Sequence, residues 1–171
     1  MPTDHEDSNY HACRNLFAKV PREQVHPLPL GERGDGQEGT SVDDPAELAR
    51  IYEVELRAAC SSGSSNANGA NETPVLDLCL LGMGPDGHTA SLFPGHPLAE
   101  LASNKEGGAA VSFLTDSPKP PASRITLTLP VLNASRSVAF IAAGGSKAEV
   151  YLGNRFFLYG SRPPPPLVAR I

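Results

Sequence analysis

The sequence predicts an α/β fold: a mostly parallel sheet flanked by helices, in a single domain. Three observations carry that expectation. Val75–Leu81 is a near-continuous apolar run, the pattern of a strand buried on both faces of a parallel sheet. Helical and strand patterns alternate along the chain, with no internal repeat. Two apolar runs end in glycine turns, Gly82 to Gly87 and Gly144-Gly145, as strands do where a parallel sheet meets its ligand.

Taken in order, "DSNYHACRNLFAKVP" predicts a helix, because Tyr10, Cys13, Phe17 and Val20 recur at helical spacing. Asp7 or Ser8 can cap it, and Pro21 ends it. "VHPLPLGERGDGQEGTSV" has no period and reads as a loop. "DDPAELARIYEVELRAAC" carries the fullest set of helix signals. Asp44 suits the N-cap, Pro45 the first turn, and Glu47 stands three residues after the cap. Leu48, Ile51, Tyr52, Glu55 and Ala59 define its mainly apolar face, widened by Val54 and Ala58. "AAVSFLT", "RITLTL" and "SVAFIAAGG" are further strands, and "SKAEVYL" can start a helix. Residues 61–74, "SSGSSNANGANETP", form a flexible surface insertion. The four prolines of "RPPPP" hold Arg162–Pro166 extended.

Composition narrows the function. At 40% hydrophobic and 19% charged residues, neither wholesale disorder nor a membrane protein is indicated. The net charge is −5 with no Lys/Arg cluster, so neither nucleic acid nor a membrane is an expected partner. An acidic chain that handles an anion must place its few cations locally. Cys13, Cys60 and Cys79 lack metal-site or disulfide spacing and read as free thiols, with Cys79 a small core residue. The polar, acidic start is unlike a signal peptide, and no apolar run approaches the ~20 residues of a membrane span. The expectation is a cytoplasmic protein. The final Ala169-Arg170-Ile171 loosely resembles a peroxisome-type address.

"LLGMGPDGHTASLFPGH" poses the functional question. Gly82-x-Gly84-x-x-Gly87 after an apolar strand matches the dinucleotide-binding fingerprint in letters. Pro94-Gly95, however, limits any helix starting at His88 to about two turns, and no acidic residue ends a clear second strand ~20 residues on. The other reading centres on His88. A histidine at the start of a short helix after a glycine turn stands at the ligand end of the sheet, where it can serve as a general base. Backbone N–H groups of the same turn can meet an anion or an oxyanion. The plainer alternative is a local hydrogen bond made by His88.

"DLCLLGMGPDGHTASLFPGH" closely resembles the signature of the 6-phosphogluconolactonases. "DHEDSNY", "SPKPPASRITLTLPVLNAS" and "VAFIAAGGSKAEV" agree with that family in order, from about Asp4 to Val150. Related sugar-phosphate deaminases carry an Asn-Gly-His loop, whereas Asp86-Gly87-His88 followed by "TASLFP" resembles the lactonases. The resemblance implies hydrolysis of 6-phosphoglucono-δ-lactone to 6-phosphogluconate in the pentose phosphate pathway, with no metal or organic cofactor. It implies His88 as general base, with backbone around Gly84 and Gly87 against the substrate. Asp86 orients the loop or the histidine, or simply forms the turn. Lys119 and Arg124 match the family's basic positions near the sugar phosphate, and Lys147 is a third candidate. Arginine offers phosphate a bidentate fork and lysine a point charge; the alternative for each is a solvated surface cation. Asn9 and Tyr10 match the family's "SNY" beside the site; capping and core packing are the alternative.

The resemblance also implies departures. Family members extend further at both ends, so residues 1–171 are expected to form one partial domain with an incomplete sheet. An "Asp-Glu-Arg" strand end, whose arginine contacts substrate in the family, has no counterpart here. Residues 151–171 form a divergent tail in place of a helix and a tryptophan-containing strand. A sheet lacking strands exposes apolar faces and open edges. Reduced stability and impaired activity are therefore expected, and the alternative function is a remnant that binds sugar phosphate or a full-length homologue.

Overall fold

A computed structural model describes residues 5–6, 8–28, 44–61, 73–101 and 108–147 of the chain. Residues 62–72 of the expected insertion and the whole of the 151–171 tail lie outside them. The architecture is mixed α/β, as expected. In chain order the elements are helix α1 (Asn9–Cys13), helix α2 (Pro45–Ser61), strand β1 (Cys79–Gly82), helix α3 (Pro97–Leu101), strand β2 (Val111–Leu114), strand β3 (Arg124–Leu127), helix α4 (Leu129–Ala134) and strand β4 (Val138–Ile141).

Among the described residues two strand pairs form the sheets. β1 and β4 are parallel, with Cys79 opposite Val138 and Gly82 opposite Ile141. β2 and β3 are antiparallel, with Val111 opposite Leu127 and Leu114 opposite Arg124. Only the first pair fits the expected parallel sheet. The second is antiparallel because β3 returns directly after the 115–123 loop, which needs no helical crossover.

The 17-residue α2 bears out its start signals. Asp44 Oδ1 accepts the Ala46 N–H at 3.0 Å, as an N-cap does. Glu47 does not reach back to the cap; it holds Arg50 by two bonds of 2.6 and 2.7 Å. The buried face is also rotated from the expected one. Leu48 and Ala49 are buried, whereas Val54, Ala58 and Ala59 are exposed. α2 packs against β2 and β3, where Glu53 accepts the Val111 N–H at 3.3 Å and pairs with Arg57 at 2.7 Å.

The expected helix over residues 7–20 is reduced to five residues capped by Ser8. Beyond Cys13 the chain continues in turns with i→i+3 bonds, Leu16 to Cys13, Phe17 to Arg14 and Val20 to Phe17. A short helix depends on burying an apolar face, and here Leu16 is 75% exposed while Tyr10 and Phe17 stack on each other.

The strand expected over 75–81 forms only from Cys79. Its partner β4 starts at Val138, because the residues just before belong to α4 and its C-terminal turn, so 75–78 has no ladder to join. The expectation of burial on both faces also fails among the described residues. Cys79 and Leu81 face the core, but Leu80 and Ile141 stand 63% and 64% exposed on the opposite face. The covered face meets one cluster of Cys79, Leu92, Ala99, Leu129 and Leu132, joined by Leu81 and Val138. This cluster seats α3, α4 and the 89–93 segment against the parallel pair.

The register has one consequence for function. Pairing Gly82 with Ile141 brings both strand ends to the same edge, so the Gly82–Gly87 loop and the Gly144-Gly145 turn start side by side. After β4 the chain makes a 3-10 turn, Gly145–Lys147, which carries half-buried Lys147; the rest of the helix expected there lies outside the described residues.

Candidate active site

The loop after β1 is folded around Gly84. The Gly84 N–H donates to His88 O at 2.9 Å and the Gly87 N–H donates to Gly84 O at 3.0 Å, closing the turn on itself. A Cβ on Gly84 would overlap the His88 ring and the Asp86 carboxylate, so glycine is required there by close approach. Gly87 sits at φ +85°, a conformation that favours glycine. Both N–H groups are thus engaged inside the loop. These bonds set where His88 stands.

No helix starts at His88. Residues 88–96 form turns with an isolated Thr89–Leu92 bridge, and α3 begins at Pro97. A dinucleotide loop needs a helix N-terminus at this point, so the glycine spacing does not serve that purpose here. The loop is instead tied down by side-chain hydroxyls. Thr89 Oγ1 donates to Gly82 O at 2.9 Å, and the Ser91 N–H donates to Thr126 Oγ1 at 3.0 Å.

His88 is mostly buried, its side chain 17% exposed. Its Nδ1 lies 2.6 Å from Asp86 Oδ1. The other Asp86 oxygen, Oδ2, lies 3.0 Å from Lys119 Nζ. Burial pushes the Asp86 carboxyl up, but the hydrogen bonds from His88 and Lys119 outweigh it and hold it at about 2. Asp86 is therefore an ionised acceptor at neutral pH, and Nδ1 must carry the proton between them. Neutral His88 then has its lone pair on Nε2, the arrangement a general base requires.

Phe93, which the sequence reading gave no role, lies beneath this group. Its ring is fully buried and stacks on the His88 imidazole with centroids 4.4 Å apart. The Arg124 guanidinium lies over the same ring, 5.5 Å from its centroid. Arg124 is also fastened to the 117–123 loop. It donates to Pro121 O at 3.1 Å, Lys119 O at 3.2 Å and Pro120 O at 2.8 Å. Ser117 Oγ donates to Lys119 O at 2.8 Å. The loop backbone is thereby held while the Lys119 side chain remains 37% exposed.

The structure thus brings Gly84, Asp86, Gly87 and His88 of one loop together with Lys119 and Arg124 of a later segment. Asn9 is exposed at the start of α1 and makes no hydrogen bond to this loop among the described residues. Phe93, Ser117, Thr89 and Thr126 were missed. A Phe-Pro pair after a turn reads as core, and hydroxyls carry no periodic signal. His96 also has a task. Its Nδ1 accepts the Leu98 N–H at 3.1 Å, which leaves Nε2–H to donate to Asp116 at 3.1 Å. Among the described residues no three His, Cys, Asp or Glu side chains are grouped as a metal would need.

In this chain a histidine loop and a cation loop meet at the carboxyl edge of the parallel strand pair, the edge at which open α/β sheets commonly bind ligands. The chain's family is more specific. Residues 1–155 match the family described as glucosamine-6-phosphate isomerases/6-phosphogluconolactonase, and the chain belongs to it. It is 42% identical over 151 residues to the 6-phosphogluconolactonase of Rattus norvegicus, covering 88% of this chain and 50% of that protein. It is 42% identical over 149 residues to a probable chloroplastic 6-phosphogluconolactonase 4 of Oryza sativa subsp. indica, covering 86% and 42%. Among solved structures, the 6-phosphogluconolactonase from Trypanosoma cruzi superposes with a TM-score of 0.66 at 32% identity, covering 90% of this chain and 56% of that one. The chain spans about half the length of the curated relatives it matches.

Proposed function

We propose that this chain hydrolyses 6-phosphoglucono-δ-lactone to 6-phosphogluconate in the pentose phosphate pathway, with His88 as the general base. The observation that carries the reading is the Asp86–His88 hydrogen bond of 2.6 Å, which leaves Nε2 as the basic nitrogen. Nε2 takes a proton from water as the water oxygen bonds to the lactone carbonyl carbon. The tetrahedral intermediate then collapses with cleavage of the bond from that carbon to the ring oxygen. The imidazolium returns its proton to the ring oxygen, and the new carboxylic acid loses its own proton to solvent. Base catalysis of this kind contributes ~10²–10⁴-fold.

Lys119 and Arg124 bind the substrate phosphate, with Lys147 at the neighbouring strand end as a third cation. Gly84 and Gly87 form the floor beneath the reacting carbon, and Asn9 borders the site from α1. The chain forms a single partial 6-phosphogluconolactonase-like domain whose working compartment is the cytoplasm. The test is acid release from 6-phosphoglucono-δ-lactone against unphosphorylated glucono-δ-lactone. Turnover selective for the phosphorylated substrate is expected; no enzyme-dependent rate on either would overturn the proposal.

A second reading is favoured by the exposure of Leu80 and Ile141 on one face of the parallel pair. In it the chain binds sugar phosphate, or a full-length homologue, without turnover. Thermal stabilisation by 6-phosphogluconate in a preparation that does not hydrolyse the lactone would select this reading.

A further inference from the structure

We propose that Asp86 couples occupancy of the phosphate subsite to the basicity of His88, because its carboxylate is shared between His88 and Lys119. This rests on the reading of His88 as base and Lys119 as phosphate ligand. Oδ1 holds His88 Nδ1 at 2.6 Å while Oδ2 holds Lys119 Nζ at 3.0 Å. In this arrangement part of the carboxylate's charge is offset by the ammonium, and the imidazolium that forms during catalysis is less well stabilised. A phosphate dianion competes for Lys119 with more charge than one shared carboxylate. Once the ammonium turns to the phosphate, Asp86 faces His88 alone and stabilises its protonated form more strongly. Nε2 becomes the stronger base when a phosphorylated substrate is in place.

The surroundings allow that movement without rearranging the site. The Lys119 carbonyl is fixed by Ser117 and Arg124, so only the half-exposed side chain needs to pivot. The groups facing His88 are Asp86 from its own loop, the neutral Phe93 ring, Arg124 from β3 over that ring, and Lys119 through Asp86. Arg124 is anchored to three carbonyls, which leaves Lys119 as the cation able to move. Lys119 and Asp86 then determine specificity through the rate of the chemical step as well as through binding. An unphosphorylated lactone meets a His88 whose partner is still shared.

The test is the titration midpoint of the His88 ring, followed by NMR in the full chain for wild type, Lys119→Met, Lys119→Arg, Asp86→Asn and the Asp86→Asn/Lys119→Met double variant. Lys119→Met is expected to raise the midpoint, and Lys119→Arg to restore the wild-type value. In the Asp86→Asn background, Lys119→Met is expected to produce a clearly smaller rise. An unchanged midpoint in Lys119→Met overturns the coupling. An equal rise with and without Asp86 also overturns it, since Lys119 would then act on His88 directly. Saturating 6-phosphogluconate is expected to raise the midpoint more in wild type than in Lys119→Met. No response to 6-phosphogluconate in any variant overturns the phosphate arm and the function reading together, while the ligand-free series still decides whether Asp86 links the two cations.

Discussion

Phe93 stacks on the imidazole of His88 at a centroid distance of 4.4 Å and at the same time underlies the guanidinium of Arg124. One buried ring therefore fixes the spacing between the His88 imidazole and the guanidinium of Arg124 from β3. Phe93→Leu keeps an apolar filling but loses both ring contacts. It is expected to cost about 1–2 kcal/mol in chemical denaturation and to lower the hydrolytic rate more than the stability loss explains. A variant with wild-type rate and stability would show that the stack does not position His88.

Gly84 tests the geometry of the loop. Gly84→Ala places a methyl group into the His88 ring and the Asp86 carboxylate. A destabilisation of about 1–3 kcal/mol is expected, together with loss of activity. Gly82→Ala is the matched control, because a Cβ there meets nothing within 4 Å. Equal Tm values for the two variants would contradict the close approach.

Asp86 gives a pH-dependent prediction. Its folded value of about 2 lies below the ordinary 3.8. A lowered value stabilises the fold fully above about pH 4, and that stabilisation is lost as pH falls toward about 2. With 36% of the side chain exposed, the contribution discounted for solvent screening is about 1 kcal/mol. Denaturation of wild type and Asp86→Asn across this range should show the wild-type advantage shrinking with acid; a constant difference would argue against the ion pair.

The Thr126 hydroxyl is the acceptor for the buried Ser91 N–H. Thr126→Val keeps the shape and leaves that donor unpaired, at an expected cost of about 1–3 kcal/mol. Hydrogen exchange at Ser91 should accelerate, and unchanged protection would remove Thr126 from the support of the loop.

Much of this arrangement was legible in the sequence, for different reasons in different places. Asp44-Pro45 carries helix-start chemistry that is local, so the start of α2 could be read directly. The glycine ends of β1 and β4 were legible because a strand edge leaves a sequence mark, and the register sets them side by side. Apolar runs report hydrophobicity and not its cover, so Leu80 and Ile141 gave no sign of their exposed face. The helix expected after Asp7 failed because spacing does not reveal whether a face has something to pack on. At the site, the residues of the Asp86–His88 loop and the 117–124 segment could be named. Their meeting through one shared carboxylate could not, because it depends on how β3 returns beside the first loop.

The most direct test of the account is hydrolysis of 6-phosphoglucono-δ-lactone by the purified chain, with wild type and His88→Ala compared in one preparation above the spontaneous rate. The account predicts enzyme-dependent turnover in wild type and a fall of ~10²–10⁴-fold in the variant, with folding unchanged by circular dichroism. Equal rates from a folded His88→Ala protein would contradict it.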